Sequence, residues 1–114
     1  MSNPLVDKSY AFAVRVVKAC QHLTDAQREF VLSKQLLRSG TSIGANIEES
    51  QGGISKADFS AKLSIAYKES RETKYWIKLL RDTGYLKPNA ANSLIDDADE
   101  ICRLLFTAIR TARQ

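Results

Sequence analysis

The sequence predicts an all-α fold: an antiparallel up-down-up-down four-helix bundle formed by residues 1–114 as one domain. Three observations predict it. Apolar residues recur at alternating spacings of four and three over four long stretches, the period of one helix face. Only two prolines and five glycines are present, so little interrupts those stretches. The breaks between them are short, which favours antiparallel neighbours. No strand-like alternation with turn pairs competes.

The first helix is predicted from about Leu5 to Leu23. Val6, Tyr10, Ala13, Val17 and Cys20 form one apolar line, and Leu5, Phe12, Val16 and Leu23 form a second beside it. So wide a face exceeds what one neighbour covers, and calls for two helices or another subunit. The break "HLTDAQ" follows, where Thr24 and Gln27 fit a capping box for the second helix. That helix runs to about Ser50, with Leu32, Leu36, Ile43 and Ile47 on one face, and "SQGGIS" ends it. Ser55 with Asp58 fits the next cap. The third helix, about Lys56 to Thr83, carries Phe59, Leu63, Ala66, Ser70, Thr73, Ile77 and Leu80 in strict 4-3 alternation. Gly84 suits the position just past its end, and Pro88 the first turn of a fourth helix. There Leu94, Ala98, Ile101, Leu105, Ala108 and Ala112 repeat the spacing, widened by Ile95, Cys102 and Ile109.

Composition narrows the functional classes. Hydrophobic residues are 44% and charged residues 26%, values of a chain that folds around a core. The net charge of +4 is compatible with an anionic partner and decides nothing alone. The N-terminus has no basic segment followed by an apolar run, and no stretch reaches the ~18 apolar residues of a membrane span. Cys20 and Cys102 lie in apolar patterns and read as buried thiols in a reducing cytoplasm, a disulfide between the first and last helices being the alternative. With one histidine, His22, and no ligand spacing, neither a metal site nor a nucleophile–base pair is predicted. Glu69, Glu72 and the run "DDADE" at 96–100 supply carboxylates only, the latter reading as the solvated acidic first half of a helix. No cofactor and no catalysis are expected.

Two polar features stand out. In "SIGANIEES", positions 42–50, weak helix formers interrupt an apolar period. On a wheel of ~100° per residue, Arg38, Ser42, Asn46 and Glu49 fall in one sector beside the apolar face, while Gly40 and Gly44 lie near that face. The pattern predicts a close helix contact at the glycines, flanked by a half-buried hydrogen-bond seam to the third helix. On the third helix, Lys68, Arg71, Lys74, Lys78 and Arg81 form a basic stripe, with Tyr67 and Tyr75 nearby to stack on bases. Binding to RNA or DNA backbone is the function this footprint favours. A protein-interaction scaffold is the alternative, since the apolar first and fourth helices suit protein partners equally.

"RSGTSIGANIEES" followed by "FSAKLSIAYKESRETKYWIKLLRDTGYL" resembles the bacterial 23S rRNA intervening-sequence proteins, over nearly the whole chain from Tyr10 onward. Members often read Ala-Glu-Gly where this chain has Glu48-Glu49-Ser50, so the acid is kept and the glycine is not. The resemblance implies a homo-oligomeric, pentameric ring of bundles. It further implies kinship with the accessory protein of diversity-generating retroelements, and through it a reverse transcriptase as partner.

Overall fold

A computed structural model describes residues 3–113. Four helices account for nearly all of them: α1 (Pro4–Asp25), α2 (Leu32–Gln51), α3 (Lys56–Asp82) and α4 (Pro88–Ala112). Each packs on its neighbours in sequence and α4 closes on α1, the arrangement of an up-down bundle measuring 45 × 24 × 20 Å. The core is a continuous column running from Phe12, Val16 and Leu23 through Leu36, Ile43 and Ile47 to Leu63, Ile77, Leu80, Ile101 and Leu105. Every residue of the predicted 4-3 row of α3 is buried except Phe59, which packs half-buried at the core's edge; Ser70 and Thr73 are the buried polar members.

The helix ends show where local chemistry was readable and where it was not. Asn3 caps α1, its side-chain oxygen accepting from the amides of Leu5 and Val6, with Pro4 in the first turn. Ser55 caps α3 through the amide of Asp58, and Gly84 takes φ +86° just past the end of α3, a conformation glycine adopts without strain. The expected capping box at Thr24 and Gln27 does not form. Thr24 is still inside α1, where its hydroxyl donates back to the carbonyls of Cys20 and Gln21. The start of α2 is capped by Glu29 instead. Its carboxylate accepts from the amides of Val31, Leu32 and Ser33 at 3.2, 3.0 and 2.8 Å, and the Ser33 hydroxyl donates to the Glu29 carbonyl. The Glu side chain reaches over a turn that Asp or Ser would cap from closer in, so the motif has no standard spacing.

The α1·α2 contact is close at two glycines. A Cβ on Gly40 would lie 2.7 Å from Val16 Cγ1, and one on Gly44 would lie 3.3 Å from the Ser9 carbonyl oxygen. The close approach predicted for these glycines is therefore made, and it is made to α1. Of the two apolar lines on α1, Phe12, Val16 and Leu23 enter the core, whereas Tyr10 and Val17 stay outside at 71 and 38% exposure, beside Val14, a residue of neither line, at 38%. Only Cys20 of the Val6–Cys20 line is buried. Cys20 and Cys102 are both free thiols, and burial pushes the Cys20 thiol up to about 11.

The acidic run at 96–100, midway along α4, is not merely solvated. Asp97 pairs with Arg15 and Glu100 with Lys8 on α1, while Asp99 pairs with Lys74 on α3 at 2.7 Å. These pairs are partly exposed and worth little individually, but they lie on the two seams that α4 must close.

Two outcomes follow from this packing. Gly40→Ala gains helix propensity of ~1 kcal/mol yet drives a methyl into a buried, β-branched neighbour, so it should lower stability by about 1–2 kcal/mol in denaturant unfolding. Val16→Ala in the same chain should recover part of that loss, a coupling absent for Gly44→Ala. For Glu29, burial raises the carboxyl pKa, but the bonds from Ser33, Leu32 and Val31 outweigh it and hold the pKa below its ordinary value. The charged form is thus favoured in the folded state, so its contribution is present above the unfolded pKa and is lost as pH falls through the folded one. Glu29→Gln should destabilise by about 1 kcal/mol at pH 7, and the difference from the parent should vanish at acidic pH.

Candidate nucleic-acid interface

On α3 the core row leaves a broad outer sector, and the five stripe residues do not share it equally. Lys68, Arg71 and Lys78 are exposed and make no ion pair among the described residues. Lys74 leans toward α4 and is neutralised by Asp99. Arg81 donates to the Asp82 carboxylate at 2.8 Å and to Asn92 at 2.9 Å. The Arg81 bond holds the Asp82 carboxyl below the usual carboxylate range. Three of the five cations therefore remain available to an outside anion.

The α3·α4 register brings in residues that the sequence reading missed. Tyr67 meets Phe106, Lys74 meets Asp99 and Arg81 meets Asn92. In each pair the numbers total 173, so residue i of α3 lies level with residue 173 − i of α4. Arg103 and Arg110 of α4 are exposed, make no ion pair among the described residues, and lie level with positions 70 and 63 of α3. Arg103 lines a groove of about 360 Å³ between the helices together with Tyr67, Lys74, Asp99 and Phe106. The guanidinium of Arg110 sits 5.7 Å from the centre of the Phe106 ring. The helical period alone places Arg103 and Arg110 outside. Knowing that they join the α3 cations required the register.

Aromatic rings punctuate this face. Tyr75 is 58% exposed, between Arg71 and Lys78 in the same outward row, and its ring meets Trp76 edge-on at 5.0 Å. The Trp76 indole is tied in turn to Glu72, whose carboxylate also pairs with Arg38. Phe106 is 50% exposed. Tyr67, the other tyrosine of the predicted stripe, packs half-buried against the core.

The polar seam has a different construction from that expected. Its ends reach α3: Arg38 pairs with Glu69 and Glu72, and Glu49 with Lys62 at 3.4 Å. Its middle does not. Asn46 donates to the carbonyl and hydroxyl of Ser42 within α2. The buried polar link between the helices is one row deeper, where the Ser39 and Thr73 hydroxyls meet at 3.0 Å. Arg38, Ser42, Asn46 and Glu49 thus mark the rim of the α2·α3 joint. Among the described residues no group of three or more His, Cys, Asp or Glu is placed to hold a metal ion, and no helix is long and apolar enough to cross a membrane.

The family model described as "23S rRNA-intervening sequence protein" matches residues 2–107. No curated protein matches the chain. Among solved structures, the chain is similar to a protein of the S23 ribosomal protein family from Bacteroides thetaiotaomicron, itself of unknown function. The two are 50% identical, with 92% of this chain and 97% of that one covered and a TM-score of 0.91. Neither match carries a link to diversity-generating retroelements. The family model spans the bundle from α1 to most of α4, and the solved relative shares its shape, so the chain belongs to the 23S rRNA-intervening sequence protein family.

Proposed function

We propose that this protein is a non-catalytic, homo-oligomeric bundle that binds nucleic acid through the α3/α4 face. The observation that carries this reading is the gathering there of five exposed cations outside any ion pair among the described residues, Lys68, Arg71 and Lys78 from α3 with Arg103 and Arg110 from α4, of which only Lys78 feels a nearby carboxylate, that of Asp82. At the helix joints Lys8, Arg15, Arg38 and Lys62 are engaged by carboxylates, while Lys18, Lys34 and Lys87 are exposed and unpaired singly elsewhere among the described residues. Lysines act as point charges on phosphate oxygens, and arginines fork onto them. The family's association with ribosomal RNA genes, carried in its name, agrees with such a partner. Both cysteines are buried free thiols, which suits a reducing cytoplasm.

Assembly is assigned to the opposite side of the molecule. Tyr10, Val14 and Val17 of α1 and Leu37 of α2 leave an exposed apolar band with no partner in the subunit. Bands of this kind are uncommon on monomers. The number of subunits, five, comes from the family resemblance. Assembly would repeat the cationic face around a ring, so weak individual contacts would add.

Two measurements test the reading. Light scattering at micromolar concentration should give an oligomer mass, and Val14→Asp with Val17→Asp should reduce it to the monomer with helix content retained. A monomer mass for the parent overturns the assembly. Fluorescence anisotropy with mixed oligonucleotides at low salt should show binding that weakens steeply with salt, by a log–log slope of ~0.7–0.9 per phosphate neutralised. Arg71→Glu with Lys78→Glu should weaken it at least about tenfold, which is ~1.4 kcal/mol, while Asp96→Ala should not weaken it. No binding at low salt by the intact oligomer would favour a protein scaffold that works through its apolar band alone.

A further inference from the structure

The arrangement of rings among the free cations carries the reading further. We infer that the α3/α4 face takes a single-stranded polynucleotide, holding unpaired bases on Tyr75 and Phe106 while the cations hold its phosphates. This rests on the proposed nucleic-acid reading and specifies its substrate class.

Tyr75 has Arg71 four residues before it and Lys78 three after it, so its ring stands in a row of cations on one side of α3. The ring is not loose. Trp76 braces it at an interplanar angle of 76°, and Trp76 is itself fixed by the 2.9 Å bond to Glu72. Across the seam, Phe106 lies between Arg103 and Arg110 on α4 and leans on Tyr67 at 6.2 Å. The register sets Phe106 level with position 67, eight residues before Tyr75. At 1.5 Å per residue the two rings are separated by ~12 Å along the bundle axis. That is three to four nucleotides of a stacked strand at ~3.4 Å each. Cations flank both rings, the order that sequence-tolerant single-strand binders use.

A duplex fits the same face poorly. Its base faces are turned inward on one another, so Tyr75 and Phe106 would lose water and gain nothing. A single protruding helix, ~10–12 Å across, enters a major groove of ~12 Å. Here α3 is flanked on both sides by α2 and α4 and cannot enter alone. Only phosphate attraction is left for a duplex, and it is common to both forms. The rings therefore supply the discrimination, and the cations the affinity they share.

The sole tryptophan, Trp76, touches Tyr75 and reports on it directly. The experiment titrates the intact protein with 20-nucleotide single strands of RNA and of DNA and with the matching duplexes, reading anisotropy and Trp76 emission together. Single strands of both kinds should bind at least about tenfold tighter than duplexes and should change the emission, whereas duplexes should not. Tyr75→Ala should weaken single-strand binding roughly 5- to 150-fold, the range of one lost stacked base, with the salt slope unchanged. Tyr75→Phe should retain the affinity, which separates stacking from loss of fold. Equal binding of duplex and single strand, or parental affinity in Tyr75→Ala, overturns the inference and leaves the nucleic-acid reading standing. Absence of any binding overturns both.

Discussion

Gly40 lies so close to α1 that a single methyl group there would collide with Val16. Much of the subunit depends on this contact. It seats α2 against the Phe12–Val16–Leu23 line, which commits that line to the core. A helix has only one face toward its core, so Tyr10, Val14 and Val17 are left outside. The weak helix formers around position 42 are tolerated because the α1·α2 joint needs small residues more than it needs helix propensity. On the other flank Ser39 meets α3 through a hydroxyl pair with Thr73, not through a bulky side chain.

Charge is distributed unevenly between the joints and the outer surface of the bundle. Carboxylates midway along α4 reach both ways, to Lys8 and Arg15 on α1 and to Lys74 on α3. They neutralise the cations at the helix joints and leave those on the outer face of α3 and α4 unanswered. The apolar band on α1 and the cationic face on α3/α4 are therefore separate surfaces, and a change in one need not disturb the other.

How far the sequence could be read follows from the range of each interaction. The four helices, the Ser55 and Pro88 starts and the Gly84 end were legible, because period and caps are local. The core row of α3 was legible because a 4-3 pattern with few polar breaks allows only one inward face. Glu29 was not, since a glutamate capping from three residues before the helix resembles any exposed acid. Nor could the fates of Lys74 and Arg81 be told from those of Lys68 and Arg71: all lie near one flank of α3, and only the position of Asp99 and Asn92 separates them. The same register hid the contribution of Arg103, Phe106 and Arg110. Asn46 looked like a cross-helix donor and instead serves its own helix through Ser42, a choice that depends on side-chain reach and not on spacing.

The rungs between α3 and α4 recur every seventh residue on both helices, at 67, 74 and 81 against 106, 99 and 92. A straight α-helix drifts by ~20° in seven residues, so rungs of this repeat are kept facing only when the two helices coil left-handedly around one another. The outer surface must coil with them. The strip that carries the free cations is consequently a shallow spiral rather than a straight rail, and a polymer lying along it has to bend and turn as it advances. Flexible chains meet that demand at little cost, and stiff ones do not.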